Sequence, residues 1–259
     1  MKKKLSGLSI AASIARGGDW VLDRVIVLLL ITALLYSGFG LWDTYQIYKG
    51  AGVDSELLKY KPELGDGDNP TLAQLQEINP DVCAWLTVDG TNIDYPVVQG
   101  RTNMDYINKN VYGEFSLSGS VFLDSRNARD FSDQYSLLYA HHIQGKVMFG
   151  QLPEFMEKAY FDSHTSGILF LPGRTLRIEF FACIYTDAYD AVAFNPAAVG
   201  GGESEARFLS YLKREAVQYR DIDVSASDRI IGLSTCSEAS TNGRVLLFGR
   251  LAEYNKKET

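Results

Sequence analysis

The sequence predicts a mainly β domain behind a single apolar helix. Residues 25–42 form an uncharged run, VIVLLLITALLYSGFGLW, and eight β-rich runs bounded by turn residues follow it. One strong amphipathic stretch, Glu203 to Tyr219, stands before the last two of those runs. With 46% hydrophobic and 12% aromatic residues, the chain after Trp42 has enough apolar content for one sizeable core, so one domain suffices.

The first element is residues 25–42. As a helix this run spans about 27 Å, close to the hydrocarbon thickness of a bilayer, and nothing in it is polar enough to face water. It is longer than the apolar part of a signal peptide, and no small-x-small cleavage site precedes Asp43. An uncleaved transmembrane anchor is therefore expected. Lys2, Lys3, Lys4, Arg16 and Arg24 outweigh Asp19 and Asp23, leaving +3 before Val25. The positive-inside rule then makes residues 1–24 a cytoplasmic N-terminus and puts the rest of the chain outside the cell.

Residues 43–79 read as a helical stalk. A helix leaving the membrane is weakened by Gly50, Gly52 and Pro62 and ended by GDGDNP at 65–70. A short helix follows from Pro70 to Ile78, with Asn69 as N-cap, Pro70 at the first helical position, and Leu72, Leu75 and Ile78 on one side. Residues 80–254 hold the strand runs VCAWLTV, NIDYPVV, GSVFL, QYSLLYA, GILFLP, TLRIEFFACIYTD, RIIGLSTC and RVLLFGRLAE, and 255–259 form a tail. Two helices are expected among them. Lys146 to Tyr160 carries Met148, Phe149, Leu152, Phe155 and Met156 at helical spacing, with Pro153 limiting its first turn. Glu203 to Tyr219 has a stripe of Ala206, Leu209, Leu212, Ala216 and Tyr219, which predicts core packing beside a cleft.

The net charge of −7 becomes −10 once the +3 before Val25 is set aside, which argues against a nucleic-acid partner. Three cysteines outside the cytoplasm leave at least one thiol free or paired between chains. Cys83 and Cys183 lie in apolar runs and read as small buried hydrophobes. Cys236 is different, because it ends an apolar, β-branched strand where a polar loop begins. A thiolate is the reactive form of cysteine, and a neighbouring cation or imidazolium brings it into use.

Arg244 stands eight residues beyond Cys236, and its plain alternative is a surface cation with a packed stem. His141 and His142 end the run SLLYA, and adjacent strand residues point to opposite faces, so only one of the pair faces a cleft. That divergence also argues against a shared metal, since no third ligand has suitable spacing and His164, in FDSHTS, reads as a solvated turn residue. No metal or cofactor is expected.

Together these segments resemble the sortase family, most closely its class B branch. The resemblance spans roughly residues 70–252. It is carried by the N-terminal anchor, NPDVCAWLTVDGTNIDYPVVQG, GEFSLSGSVFLDSRN, AHH followed by MFG, LSTC and the Arg244 strand. Two positions depart from the family pattern. Ala140 replaces the glycine usual before the histidine, and Gly232 takes the first place of the T-L-x-T-C signature.

The resemblance implies an eight-stranded closed β-barrel with N-terminal helices and a long helix before the cysteine strand. It implies a cysteine transpeptidase, with a thiol-peptidase half-reaction, that cleaves a C-terminal sorting motif of secreted proteins after Thr through a thioacyl intermediate. The motif is then joined to an amine of the cell wall peptidoglycan, either a precursor or a cross-bridge. Cys236 is the implied nucleophile, His141 the general acid/base and Arg244 the oxyanion stabiliser. Asn103 and Ile107, in a short helix after QGRTN, and Ser234 are implied to line the substrate groove, although Asn103 also fits a helix cap and Ile107 a core position.

The alternatives are a pilin-polymerising sortase using a Lys amine and a non-catalytic membrane-tethered binding protein. Papain-like peptidases place cysteine before histidine, the reverse of the order here. Caspase-like enzymes keep this order but with closer spacing than the 95 residues between His141 and Cys236, and with a Q-A-C-x-G that is missing.

Overall fold

The computed structural model describes residues 2–53, 55–65, 68–143, 145–200, 202–236 and 242–254, with the Cys236 side chain outside the description. The chain divides into two units, residues 1–46 and 47–259.

Helix α1 (Lys2–Ala51) makes up the first unit and continues into the second. Every residue from Val25 to Trp42 on it is exposed. Among the described residues it is the one helix long and apolar enough to cross a membrane.

The second unit contains α2 (Pro70–Ile78), β1 (Val82–Val88), β2 (Asp94–Val98), β3 (Val121–Leu123), β4 (Tyr135–Tyr139), β5 (His142–Ile143) and β6 (Val147–Met148). After these come α3 (Lys158–Ser163), β7 (Ser166–Leu171), β8 (Arg174–Asp187), α4 (Glu203–Glu215), β9 (Ala216–Tyr219), β10 (Arg229–Cys236) and β11 (Gly243–Glu253). The strands run in the order β11-β10-β4-β3-β2-β1-β7-β8, and β8 pairs back with β11, so eight strands close a barrel. These are the eight expected runs. The β2–β3 and β4–β10 pairs are parallel and the remaining barrel pairs antiparallel.

Alternation along the strands sorts the core into an interior and two outer layers. Ile231, Leu233, Val245 and Leu247 point inward with Leu86, Val97, Leu138 and Ile178. Their neighbours Ile230, Leu246 and Phe248 lie outside under Phe208, Tyr211 and Leu212 of α4. Leu72 and Leu75 of α2 cover Trp85, Val98 and Phe170 in the same way. Burying each such side chain contributes about 1.5–3 kcal/mol.

Five local expectations need correction. Residues 146–160 are not one helix: Lys146 and Met148 have φ of 63° and 53°, and β6, a 3-10 turn (Leu152–Met156) and α3 share the segment. Its apolar spacing reflects core filling, since Met148, Phe149, Leu152 and Phe155 are all buried. Helix α4 stops at Glu215 because Ala216–Tyr219 pairs with β8 instead, taking the strand edge that β7 leaves free beyond Glu179.

Asn69 does not cap α2 with its side chain. It sits at φ 42°, and its Nδ2 donates to Leu171 O, Arg174 O and Thr175 Oγ1, pinning the β7–β8 turn. After QGRTN there are turns rather than a short helix, held by the Asp105 carboxylate on Arg101 N, Thr102 N and Thr102 Oγ1. Finally, His164 is half-buried rather than solvated, stacked 3.8 Å from the Tyr160 ring.

Candidate active site

Strand register assembles the site. Antiparallel pairing sets Cys236, the last residue of β10, directly opposite Arg244, the second of β11. Parallel pairing of β10 with β4 sets Ser234 beside Tyr139, and the ladder continues with Ala140 N donating to Ser234 O at 3.2 Å. Extending that register by two residues brings His141 abreast of Cys236. β10 and β11 thus present Cys236 and Arg244, eight residues apart, at the end of the barrel where β4 leads into His141, 95 residues before Cys236 in the sequence.

The His141 imidazole is half-buried, and its Nε2 lies 2.8 Å from Ile107 O. A carbonyl only accepts hydrogen bonds, so in this contact Nε2 carries the hydrogen. His142 belongs to β5 opposite Met148, and its Nδ1 is buried without a partner among the described residues. The half-buried Arg244 guanidinium donates through Nη1 to Gly243 O at 3.0 Å, and across the β8–β11 pairing Arg244 faces Thr186. The residues that follow Cys236, 237–241, lie outside the described structure.

The other two cysteines are buried, and burial pushes both thiols up to about 12, far from the thiolate form at neutral pH. Among the described residues no three His, Cys, Asp or Glu side chains cluster as metal ligands would.

Of the groove candidates, Ser234 is buried on β10, and Ile107 is half-buried and meets the site through its carbonyl. Asn103 caps no helix. Its Nδ2 donates to Asp124 Oδ2 at 2.9 Å, while its Oδ1 accepts from Ser125 N at 2.7 Å.

Sequence reasoning passed over Asp124, which is fully buried just beyond β3 and also accepts from Tyr139 Oη and Arg126. Burial alone would raise this carboxyl, but the Arg126 hydrogen bonds, with Asn103 and Tyr139, hold it below the ordinary carboxylate value. The available signal was a charge directly after the apolar run VFL, with an arginine two residues on. Tyr139 was also missed. Its ring stacks 5.3 Å from Phe122 and lies 6.3 Å from Phe194, and burial raises its hydroxyl pKa strongly.

One departure from the family signature has a local reason. Gly232 lacks a side chain where a Cβ would stand 2.8 Å from Tyr135 Oη, so the glycine makes room for that ring. Ala140 is itself buried.

No family model matches the chain. Curated relatives do. Sortase B of Listeria monocytogenes is 32% identical over 186 residues, covering 70% of this chain and 73% of the relative. Sortase B of Staphylococcus aureus is 27% identical over 241 residues, covering 89% and 97%. Among solved structures, a Streptococcus pyogenes class B sortase involved in pilus biogenesis superposes with a TM-score of 0.65 at 49% identity, covering 70% of this chain and 97% of that one.

Proposed function

The chain belongs to the class B sortases, and from that premise we propose that it cleaves a C-terminal sorting motif of secreted proteins after Thr and joins it to a peptidoglycan amine. The single observation that supports the reading is the strand register, which pairs Cys236 with Arg244 and runs β10 beside β4, whose end lies two residues before His141.

In this mechanism the Cys236 thiolate adds to the Thr carbonyl carbon. The carbonyl oxygen becomes negative beside Arg244, whose guanidinium always keeps its proton and so acts as a donor rather than a base. His141 gives a proton to the departing amine as the C–N bond breaks, leaving a thioester. The incoming amine then attacks that thioester, His141 takes its proton, and the thiolate leaves. With Nε2 engaged by Ile107 O, Nδ1 is the nitrogen that exchanges the proton. Asn103, Ile107 and Ser234 line the groove for the motif.

A second reading has specific support: the 49% identical Streptococcus pyogenes relative is involved in pilus biogenesis. There the amine would be a Lys of a pilin subunit. The apolar helix α1 and the +3 before Val25 support a location in which α1 anchors the enzyme with its N-terminus in the cytoplasm and its barrel outside. Protease added to intact protoplasts should then digest the barrel, and full protection would reverse the orientation.

Peptide cleavage by His141→Ala and His142→Ala variants tests the assignment, with loss expected only in the first. Greater loss at His142 would reverse it. Supplying a cross-bridge peptide or a pilin Lys side chain as acceptor separates the two amine readings by which ligated product forms.

A further inference from the structure

We propose that Asp124 is a positioning residue that holds the wall of the substrate groove in its binding conformation. This rests on the sortase reading above. Its carboxylate is completely buried and gathers donors from separate parts of the chain. Oδ2 accepts from Asn103 Nδ2 at 2.9 Å, Tyr139 Oη at 2.9 Å and Arg126 Nη2 at 2.8 Å. Oδ1 accepts from Arg126 N at 3.0 Å and Arg126 Nε at 2.9 Å. Arg126 carries the link further, through Nη2 to Phe194 O at 2.8 Å and Nη1 to Asn195 Oδ1 at 3.4 Å.

One carboxylate therefore ties three segments together: the turns at 101–108, the end of β4, and the loop ahead of α4. The first two border the candidate chemistry. The turns supply the Ile107 carbonyl that holds His141, and β4 ends two residues before His141 with Tyr139 beside Ser234. The Asn103 amide is held at both ends, by Asp124 and by Ser125 N, so its orientation depends on Asp124. Strand pairing sets the Tyr139 backbone, but no ladder orients its hydroxyl or the Asn103 and Arg126 side chains. A charged acceptor shared by several donors is the strongest hydrogen-bonding arrangement open to them, and losing it leaves buried donors unpaired.

Asp124→Asn keeps the shape but loses the charge and part of the acceptor capacity. It should raise KM for a sorting-motif peptide roughly tenfold or more, the size expected for losing hydrogen bonds to a charged group, with a smaller change in kcat. The full-length chain in detergent is the material.

Tyr139→Phe removes one donor while keeping the ring, and it also serves if Asp124→Asn does not fold. It should raise KM several-fold at near-wild-type Tm. When both variants fold, the double mutant should be no worse than Asp124→Asn alone, since coupled residues are non-additive. Wild-type KM in Asp124→Asn, fully additive effects, or wild-type KM in Tyr139→Phe would overturn the proposal. If instead the wild-type enzyme forms no acyl adduct on Cys236, the sortase mechanism fails and not this inference alone.

Discussion

The strand-end residues and the groove wall are built by different forces. Cys236 and Arg244 owe their places to a backbone ladder, in which each residue's position follows from its neighbour's, and His141 follows two residues after the end of β4, the strand paired with β10. Asn103, the Tyr139 hydroxyl and the 194–195 loop are instead held by side-chain hydrogen bonds converging on Asp124 and Arg126. A ladder tolerates the loss of any one side chain. The wall depends on a few polar groups, so the reacting groups are held rigidly while the substrate contacts are open to retuning by single substitutions.

The largest effect is expected at the strand end. Arg244→Lys keeps the charge and the ladder but loses the forked donors, so the enzyme should fold normally and lose on the order of 10² to 10³ in kcat/KM for peptide cleavage. An unchanged rate would remove the guanidinium from the transition state.

A smaller loss is expected where the two regions meet. Gly119 has φ 61°, and a Cβ there would stand 2.3 Å from Ile107 O, the carbonyl that holds His141. Gly119→Ala must displace that carbonyl, and about a tenfold loss in kcat with a shifted pH-rate profile is expected. A profile identical to wild type would show that the carbonyl does not position the imidazole.

The variant with the smallest effect on activity lies away from both regions and concerns stability. Glu205 on α4 is fully buried, neither carboxyl oxygen has a partner among the described residues, and burial, with Asp228, pushes its pKa from 4.5 up to about 7. The folded state then binds this proton more tightly than the unfolded chain does. Its stabilising contribution is complete below about pH 4.5 and is lost as the pH rises through about 7. Glu205→Gln should match wild type near pH 4 and be more stable by about 2 kcal/mol at pH 8 in urea titrations. Equal stability at pH 8 would mean that the carboxylate is solvated.

The ladder was legible in the sequence because β-branched and aromatic runs bounded by turns mark strands, and all eight barrel strands fall on such runs. The β5–β6 hairpin was not, since two-residue strands carry no periodicity and Met148 adopts a positive φ that methionine does not advertise. Strand β9 was hidden for the opposite reason: Ala216 and Tyr219 continue the helical stripe of α4. In the site, the resemblance names His141, Cys236 and Arg244, and the register pairs the last two. The Ile107 carbonyl left no trace in the sequence because every residue has one, and an acid just after a strand run, as at Asp124, has the same sequence signature as any turn residue.

The most direct test of the central claim is intact-mass measurement of the full-length enzyme incubated with a sorting-motif peptide, with and without an added amine. The account predicts an acyl adduct on Cys236 that builds up without amine and disappears as ligated product forms when amine is present. Steady hydrolysis with no ligated product, or an adduct on any residue other than Cys236, would contradict it.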